Sequence, residues 1–154
     1  MTNAPTLLMV TTLGRFAVYR DQQQLNGGNW NRRKVLGLFK LLVSAEQHSL
    51  HREQIQEILW PSSTSEQANN SFGKTLYLLR RALEPELAIG KGNVSSYISL
   101  HHDTTLLVPE NIQIDADLFE SGVKEIQVRL LAQKERNQDS RLLSEFDRVL
   151  DLYH

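Results

Sequence analysis

An α+β fold is the expectation for this chain, and three observations carry it. Short apolar runs at 7–11 and 15–19 read as strands. Three amphipathic helical patterns follow between 31 and 83. A second pair of short runs, at 96–100 and 104–108, flanks a polar turn. The chain has 154 residues, enough to bury a core without covalent staples. Its 40% apolar and 23% charged residues set it apart from disordered sequences. The absence of cysteine excludes a disulfide framework, thiolate zinc sites, iron–sulfur clusters and a cysteine nucleophile. No apolar run approaches the roughly 18 residues of a membrane span. The apolar stretch 7–10 is too short for a signal peptide and has no basic lead. A cytoplasmic protein without membrane contact is expected.

Gly14 separates the first two strands. In the second, Phe16 and Val18 alternate with Arg15, Ala17 and Tyr19. Residues 21–24 make a polar turn, and Leu25 starts a third short strand before Asn26-Gly27-Gly28-Asn29. The Gly27-Gly28 pair has no strand-to-helix glycine frame and no following Gly-Lys-Ser/Thr, so no phosphate loop and no cofactor are expected. A helix at 31–44 places Val35, Leu36, Phe39, Leu42 and Val43 on one face. Its first turn holds Arg32, Arg33 and Lys34 at the positive end of the helix dipole, a local conflict that either a partner bringing negative charge or solvation alone relieves. A short helix at 52–60 follows, with His51 at the cap position, Ile55, Ile58 and Leu59 inward, and Pro61 as the stop. Residues 61–65 form a loop in which Ser63 or Ser65 caps the next helix.

That next helix, 66–83, is the most informative segment. Ala68, Phe72, Leu76, Leu79 and Leu83 form one apolar stripe. Asn70, Lys74, Tyr77 and Arg81 form another on the opposite side, flanked by Arg80. An ordinary solvated face mixes acidic and basic residues, whereas no acidic residue occurs between Gln67 and Leu83. Amide, ammonium, phenol and guanidinium on one face match what groove reading requires. Asn pairs with adenine edges, Arg with guanine edges or phosphate, and Lys with phosphate.

Residues 88–93 read as a glycine-rich loop. The runs 96–100 and 104–108 form a hairpin around His101-His102-Asp103. From 115 the chain turns helical, with Asp115 or Asp117 as cap and Phe119, Val123, Ile126 and Leu130 inward. After a polar break at 134–138, a further helix at 139–153 carries Leu142, Leu143, Phe146, Val149 and Leu150. These two helices are expected to open a longer helical array, because solenoid units rarely stand alone. Trp30 and Trp60 are expected in packing roles. His48 and His51, like the two histidines of the hairpin turn, lack the His-Glu-x-x-His pattern of a zinc enzyme. No Gly-x-Ser-x-Gly elbow is present, so no catalytic activity is expected.

Strands, three helices and a hairpin follow one another in the order of a winged helix with an N-terminal sheet. Several residue runs carry the likeness further: Leu13-Gly14-Arg15-Phe16, Arg32-Arg33-Lys34, Leu50-His51-Arg52-Glu53-Gln54-Ile55 and Leu59-Trp60-Pro61. Asn70-Ser71-Phe72 leads to Leu78-Leu79-Arg80-Arg81-Ala82-Leu83-Glu84-Pro85. Together they resemble the DNA-binding domains of the SARP/AfsR group of bacterial activators, which belong to the OmpR/PhoB-type winged helices. Ile114-Asp115-Ala116-Asp117-Leu118-Phe119-Glu120 resembles the junction into the helical, tetratricopeptide-like activation domain of that group. The resemblance spans about residues 7–154.

The resemblance implies a winged helix-turn-helix DNA-binding domain over 1–111 and the start of a helical activation or oligomerisation domain over 112–154. It implies that helix 66–83 enters the major groove of double-stranded DNA and that hairpin 96–108 is the wing. The loop 61–65 would face RNA polymerase, and the protein would bind repeated half-sites as a homodimer. Asn70, Lys74, Tyr77, Arg80 and Arg81 are the carried-over contacts, with Arg32 and Arg33 at the earlier basic turn. Gly73 and Leu78 stand where relatives often have a basic residue.

The expected function is therefore sequence-specific DNA binding in transcriptional regulation. The competing reading is a protein-interaction module that uses the same scaffold without DNA. Charge is divided along the chain. Residues 1–91 carry 11 Lys and Arg against 7 Asp and Glu, and residues 92–154 carry 6 against 11. A basic front and an acidic back suit two parts with different partners.

Overall fold

In the computed structural model, which describes residues 4–87, 94–133 and 140–153, the chain runs β1 (Leu8–Thr11), β2 (Ala17–Arg20), β3 (Gln23–Gln24), α1 (Arg33–Ser44), β4 (Ser49–His51), α2 (Arg52–Leu59), α3 (Ser65–Leu83), β5 (Ile98–His101), β6 (Thr104–Leu107), β7 (Ile112–Ile114), α4 (Asp115–Gln133) and α5 (Ser140–Leu150). The expected loop at 88–93 and break at 134–138 lie outside the described residues, as do the side chains of Leu142 and Leu143.

The first sheet has the order β3-β2-β1-β7. β1 and β2 pair antiparallel with Val10 opposite Val18, and β7 joins β1 in parallel with Leu8 opposite Ile112. Leu8, Val10, Val18, Ile112 and Ile114 are all buried, so alternation sends one face of this sheet inward. Asp21 and Gln22 turn the chain with φ of 51° and 63°, the left-handed turn that suits strand twist in a tight hairpin. The third strand therefore forms at Gln23–Gln24, ahead of Leu25. β7 has no counterpart among the elements expected from sequence, and it carries the first sheet three residues past the boundary drawn at 111.

Residues of α1, α2 and α3 share one buried core with the inward face of this sheet. Val35, Leu38, Phe39, Leu42 and Val43 of α1 meet Phe72, Leu76, Leu79 and Leu83 of α3 in one core. Leu38 is fully buried and Leu36 only partly so, which rotates α1 slightly from the face expected. A 3-10 turn at Gly28–Asn31 delays α1 to Arg33 and buries Trp30 edge-on to Phe39, with ring centroids 5.3 Å apart. Ile58 of α2 is 56% exposed rather than inward, because only Ile55 and Leu59 of that short helix face the core.

The second sheet, of order β4-β6-β5, joins the hairpin to the strand ahead of α2. Tyr97, just before β5, is fully buried and its hydroxyl donates to the Thr6 carbonyl. At the C-terminal end α4 and α5 share a smaller cluster in which Ile126 and Val149 are buried and Phe119 and Val123 half-buried. Leu130, Phe146 and Leu150 are exposed, so the inward face expected for these helices is covered only in part. Gly122 is the point of closest approach. A Cβ built there would lie 2.6 Å from Val149 Cγ2. Arg129 of α4 bonds Glu125 at 2.7 Å on its own helix and reaches Glu145 on α5. No helix among the described residues is long and apolar enough to cross a membrane.

Candidate nucleic-acid interface

The local chemistry of α3 fixes both its start and its rotation. Thr64 is the cap. Its hydroxyl accepts from Gln67 N–H at 3.3 Å while Gln67 Oε1 accepts from Thr64 N–H at 3.2 Å, a reciprocal capping box. Thr64 thus takes the place expected for Ser63 or Ser65. Ala68, Phe72, Leu76, Leu79 and Leu83 are all buried, as the apolar stripe requires. The helix is thereby held with its other side outward.

On that outward side the structure exposes Asn70, Lys74 and Tyr77, the last at 45%. The two arginines at the end of the helix behave otherwise. Arg80 is only 7% exposed and is turned into the protein, so it is not part of the outward face. Burial pushes its guanidinium pKa down from the ordinary value, and the nearby Glu84 carboxylate opposes that shift. Its place follows from spacing, since it stands four residues after Leu76 and three before Leu83 and shares their side. Arg81 is half-buried and donates to the Leu87 carbonyl, which ties it to the turn after the helix. Leu78 is half-buried against the core. The face free to meet a ligand therefore narrows to Asn70, Gly73, Lys74 and Tyr77, with Asn69 at its edge.

Asn69 was not singled out by the sequence pattern. Its Oδ1 accepts from Gln56 Nε2 of α2 at 2.8 Å, which links the two helices on the exposed side. The signal was adjacency to Asn70 alone, and no spacing rule picks it out. Arg32 and Arg33 are exposed at the start of α1. Lys34 instead donates to the Leu59 carbonyl and lies 5.8 Å from the Trp60 ring centre, joining α1 to the end of α2.

The hairpin is fastened beside α2. Arg52 N–H donates to the Asp103 carbonyl at 2.6 Å, and Arg52 Nε lies 3.7 Å from Asp103 Oδ1. The guanidinium of Arg52 also covers the Phe72 ring of α3 at 5.1 Å. The hairpin turn, α2 and α3 are thus bound into one surface. The far end of α3 is held by Arg20, whose Nη1 donates to the Leu83 carbonyl at 3.1 Å and whose guanidinium pairs with Glu86. That pairing holds the Glu86 carboxyl below its usual range. Among the described residues no three His, Asp or Glu side chains gather as metal ligands.

No family model and no curated protein matches this sequence. Among solved structures the chain is similar to Mycobacterium tuberculosis EmbR in complex with a low affinity phosphopeptide. The TM-score is 0.65 at 15% identity, over 97% of this chain and 36% of that one. At this identity the similarity is one of fold. The present chain spans about a third of the length of that protein, and the likeness covers nearly all of its own.

Proposed function

We propose that the chain binds double-stranded DNA sequence-specifically in transcriptional regulation. In this reading the fold is a winged helix-turn-helix, α3 enters the major groove, and the β5–β6 hairpin is the wing. One observation carries the reading: an outward face of Asn70, Gly73, Lys74 and Tyr77, free of acidic residues, on a helix whose opposite face is wholly buried. Asn70 reads bases, Lys74 and Tyr77 meet the backbone or base edges, and Arg32 and Arg33 add phosphate contacts. The resemblance to the SARP/AfsR group and the fold shared with EmbR support the same reading.

Binding as a pair on repeated half-sites, with the 61–65 turn toward RNA polymerase, follows from the resemblance. The DNA-binding unit ends with β7, and the helical unit begins at Asp115 with the acidic part of the chain. The exposed Val128, Leu131 and Phe146 suit that second unit to protein contacts.

The test is binding to random duplex DNA at low salt, followed by selection of the bound pool. The observed constant is expected to fall steeply and linearly in log salt, because bound cations release counterions, and the pool is expected to converge on a repeated motif. Absence of binding at low salt would overturn the proposal and leave the protein-interaction reading.

A further inference from the structure

The two adjacent asparagines of α3 are held differently, and the difference comes from α2. Gln56 stands in the middle of that helix, half-buried, and the burial of Ile55 and Leu59 on either side of it fixes the rotation. α2 is tied at both ends. At its start Arg52 N–H donates to the Asp103 carbonyl at 2.6 Å, and at its end the Leu59 carbonyl accepts from Lys34. The Gln56 amide is therefore a fixed point beside α3. Its Nε2 donates to Asn69 Oδ1 at 2.8 Å, and Asn69 stays exposed. Among the described residues no side chain holds Asn70 in this way.

A side-chain amide has one end that accepts and one that donates. With the Asn69 carbonyl turned to Gln56, its two N–H donors are turned away from α2, on the N-terminal half of α3. We infer that Gln56 is a positioning residue for base recognition: by holding the Asn69 carbonyl, it presents Asn69 to DNA as a donor. This inference rests on the DNA-binding reading above and adds a specificity to it. In the major groove guanine offers two acceptors, N7 and O6, and thymine offers O4, whereas cytosine offers only its N4 amino donor. A donor-only amide favours guanine or thymine at its position. It rejects cytosine, where one amino group would meet another. Asn70 can present both ends of its amide and keeps the bidentate pairing with adenine. Two neighbours of identical chemistry thus read different bases, because α2 tethers one of them.

The test is selection of bound duplexes from a random pool at low salt, run in parallel on the unaltered chain and on Asn69→Ala, Gln56→Glu and Gln56→Lys. Asn69→Ala identifies the position that Asn69 reads, as the one whose preference is lost. There the unaltered chain is expected to favour guanine or thymine over cytosine by about fivefold or more. In Gln56→Glu the carboxylate can only accept, so the Asn69 amide turns over and offers Oδ1 to the groove. Cytosine is then expected to be favoured by a similar factor. In Gln56→Lys the ammonium still donates to Oδ1, and the original preference is expected to persist. Added charge alone alters affinity for all sequences alike and leaves these ratios unmoved. An unreversed preference in a Gln56→Glu variant that still binds DNA would overturn the role of Gln56 and leave the DNA-binding reading standing. So would a cytosine preference in the unaltered chain or in Gln56→Lys. Absence of binding by the unaltered chain would overturn both.

Discussion

Gly73 is the ninth residue of the 19-residue α3, where a glycine weakens a helix most plainly. Replacing it with alanine isolates one physical term. A Cβ built at this position meets nothing within 4 Å, and the backbone is not in the left-handed region. No clash opposes the change, and an exposed methyl buries almost nothing. What remains is the helix propensity difference, about 1 kcal/mol in favour of alanine. For a chain of this size that corresponds to a rise of about 2–4 °C in Tm. Thermal melts followed by circular dichroism, with urea titrations showing an unchanged m-value, measure it. A lowered Tm would refute the reasoning, because it would mean that the outward face of α3 is packed against something. The same position then tests the interface. Gly73→Lys places a cation among Asn70, Lys74 and Tyr77, and is expected to raise affinity for random duplex at low salt and steepen the salt dependence by about one unit. An unchanged slope in a protein that still binds DNA would move the phosphate backbone away from this part of the helix.

The same substitution at Gly122 should have the opposite sign. There the new methyl meets Val149 Cγ2 at 2.6 Å, and a valine in a helix has little rotamer freedom to yield. Overpacking of about 1–3 kcal/mol outweighs the propensity gain, so Gly122→Ala should speed hydrogen exchange in α4 and α5, and adding Val149→Ala should reverse it. Lys74→Ala is expected to weaken binding to all duplex sequences alike and reduce the salt slope by about one, whereas Asn70→Ala should cost roughly 1–3 kcal/mol on the selected site and less on random DNA. Equal losses on both kinds of DNA would assign Asn70 to the backbone. Arg80→Ala should lower Tm, by roughly 1–3 kcal/mol in stability, and leave the salt slope of the folded protein unchanged, since the side chain is buried. Because Arg20 depresses the Glu86 carboxyl, that pair contributes stability above the ordinary carboxylate range near pH ~4.3 and loses it as pH falls through the depressed value. Glu86→Gln is expected to flatten the acid limb of a stability–pH curve, and an unaltered limb would count against the pairing.

Much of α3 was legible because one rule governed its whole length. Five apolar residues at helical spacing fixed the buried side, and Asn70, Lys74 and Tyr77 followed as the other side. Arg80 flanks the exposed stripe in sequence, while its spacing from Leu76 and Leu83 turns it toward the buried side, where it is 7% exposed. Long arginine stems pack readily against apolar neighbours. The Thr64–Gln67 box was present in the sequence as a threonine three residues before a glutamine, but three neighbouring serines offered equally good caps. The short elements were harder. β4 and β7 have three residues each, too few for alternation to declare itself, and each exists because a distant strand supplies its partners. Tyr97 fell within the strand run 96–100, but nothing nearby in sequence shows that its hydroxyl donates to the Thr6 carbonyl, 91 positions away.

β1 lies between β2 and β7, so during synthesis β1 waits for β7 before its second edge is closed. Over that interval roughly a hundred residues are synthesised, and Leu8 and Val10 have no neighbour on the side that Ile112 and Ile114 later cover. Exposed strand edges recruit other chains, and closing so long a loop slows folding. Any fragment that stops after Asn111 keeps that edge open permanently. Such a fragment retains α3 and the hairpin and should still be prone to dimerise or aggregate through β1, whereas one extended through Ile114 closes its own sheet. The smallest independently soluble piece of this chain that keeps α3 and the hairpin is thus set by a strand distant from both.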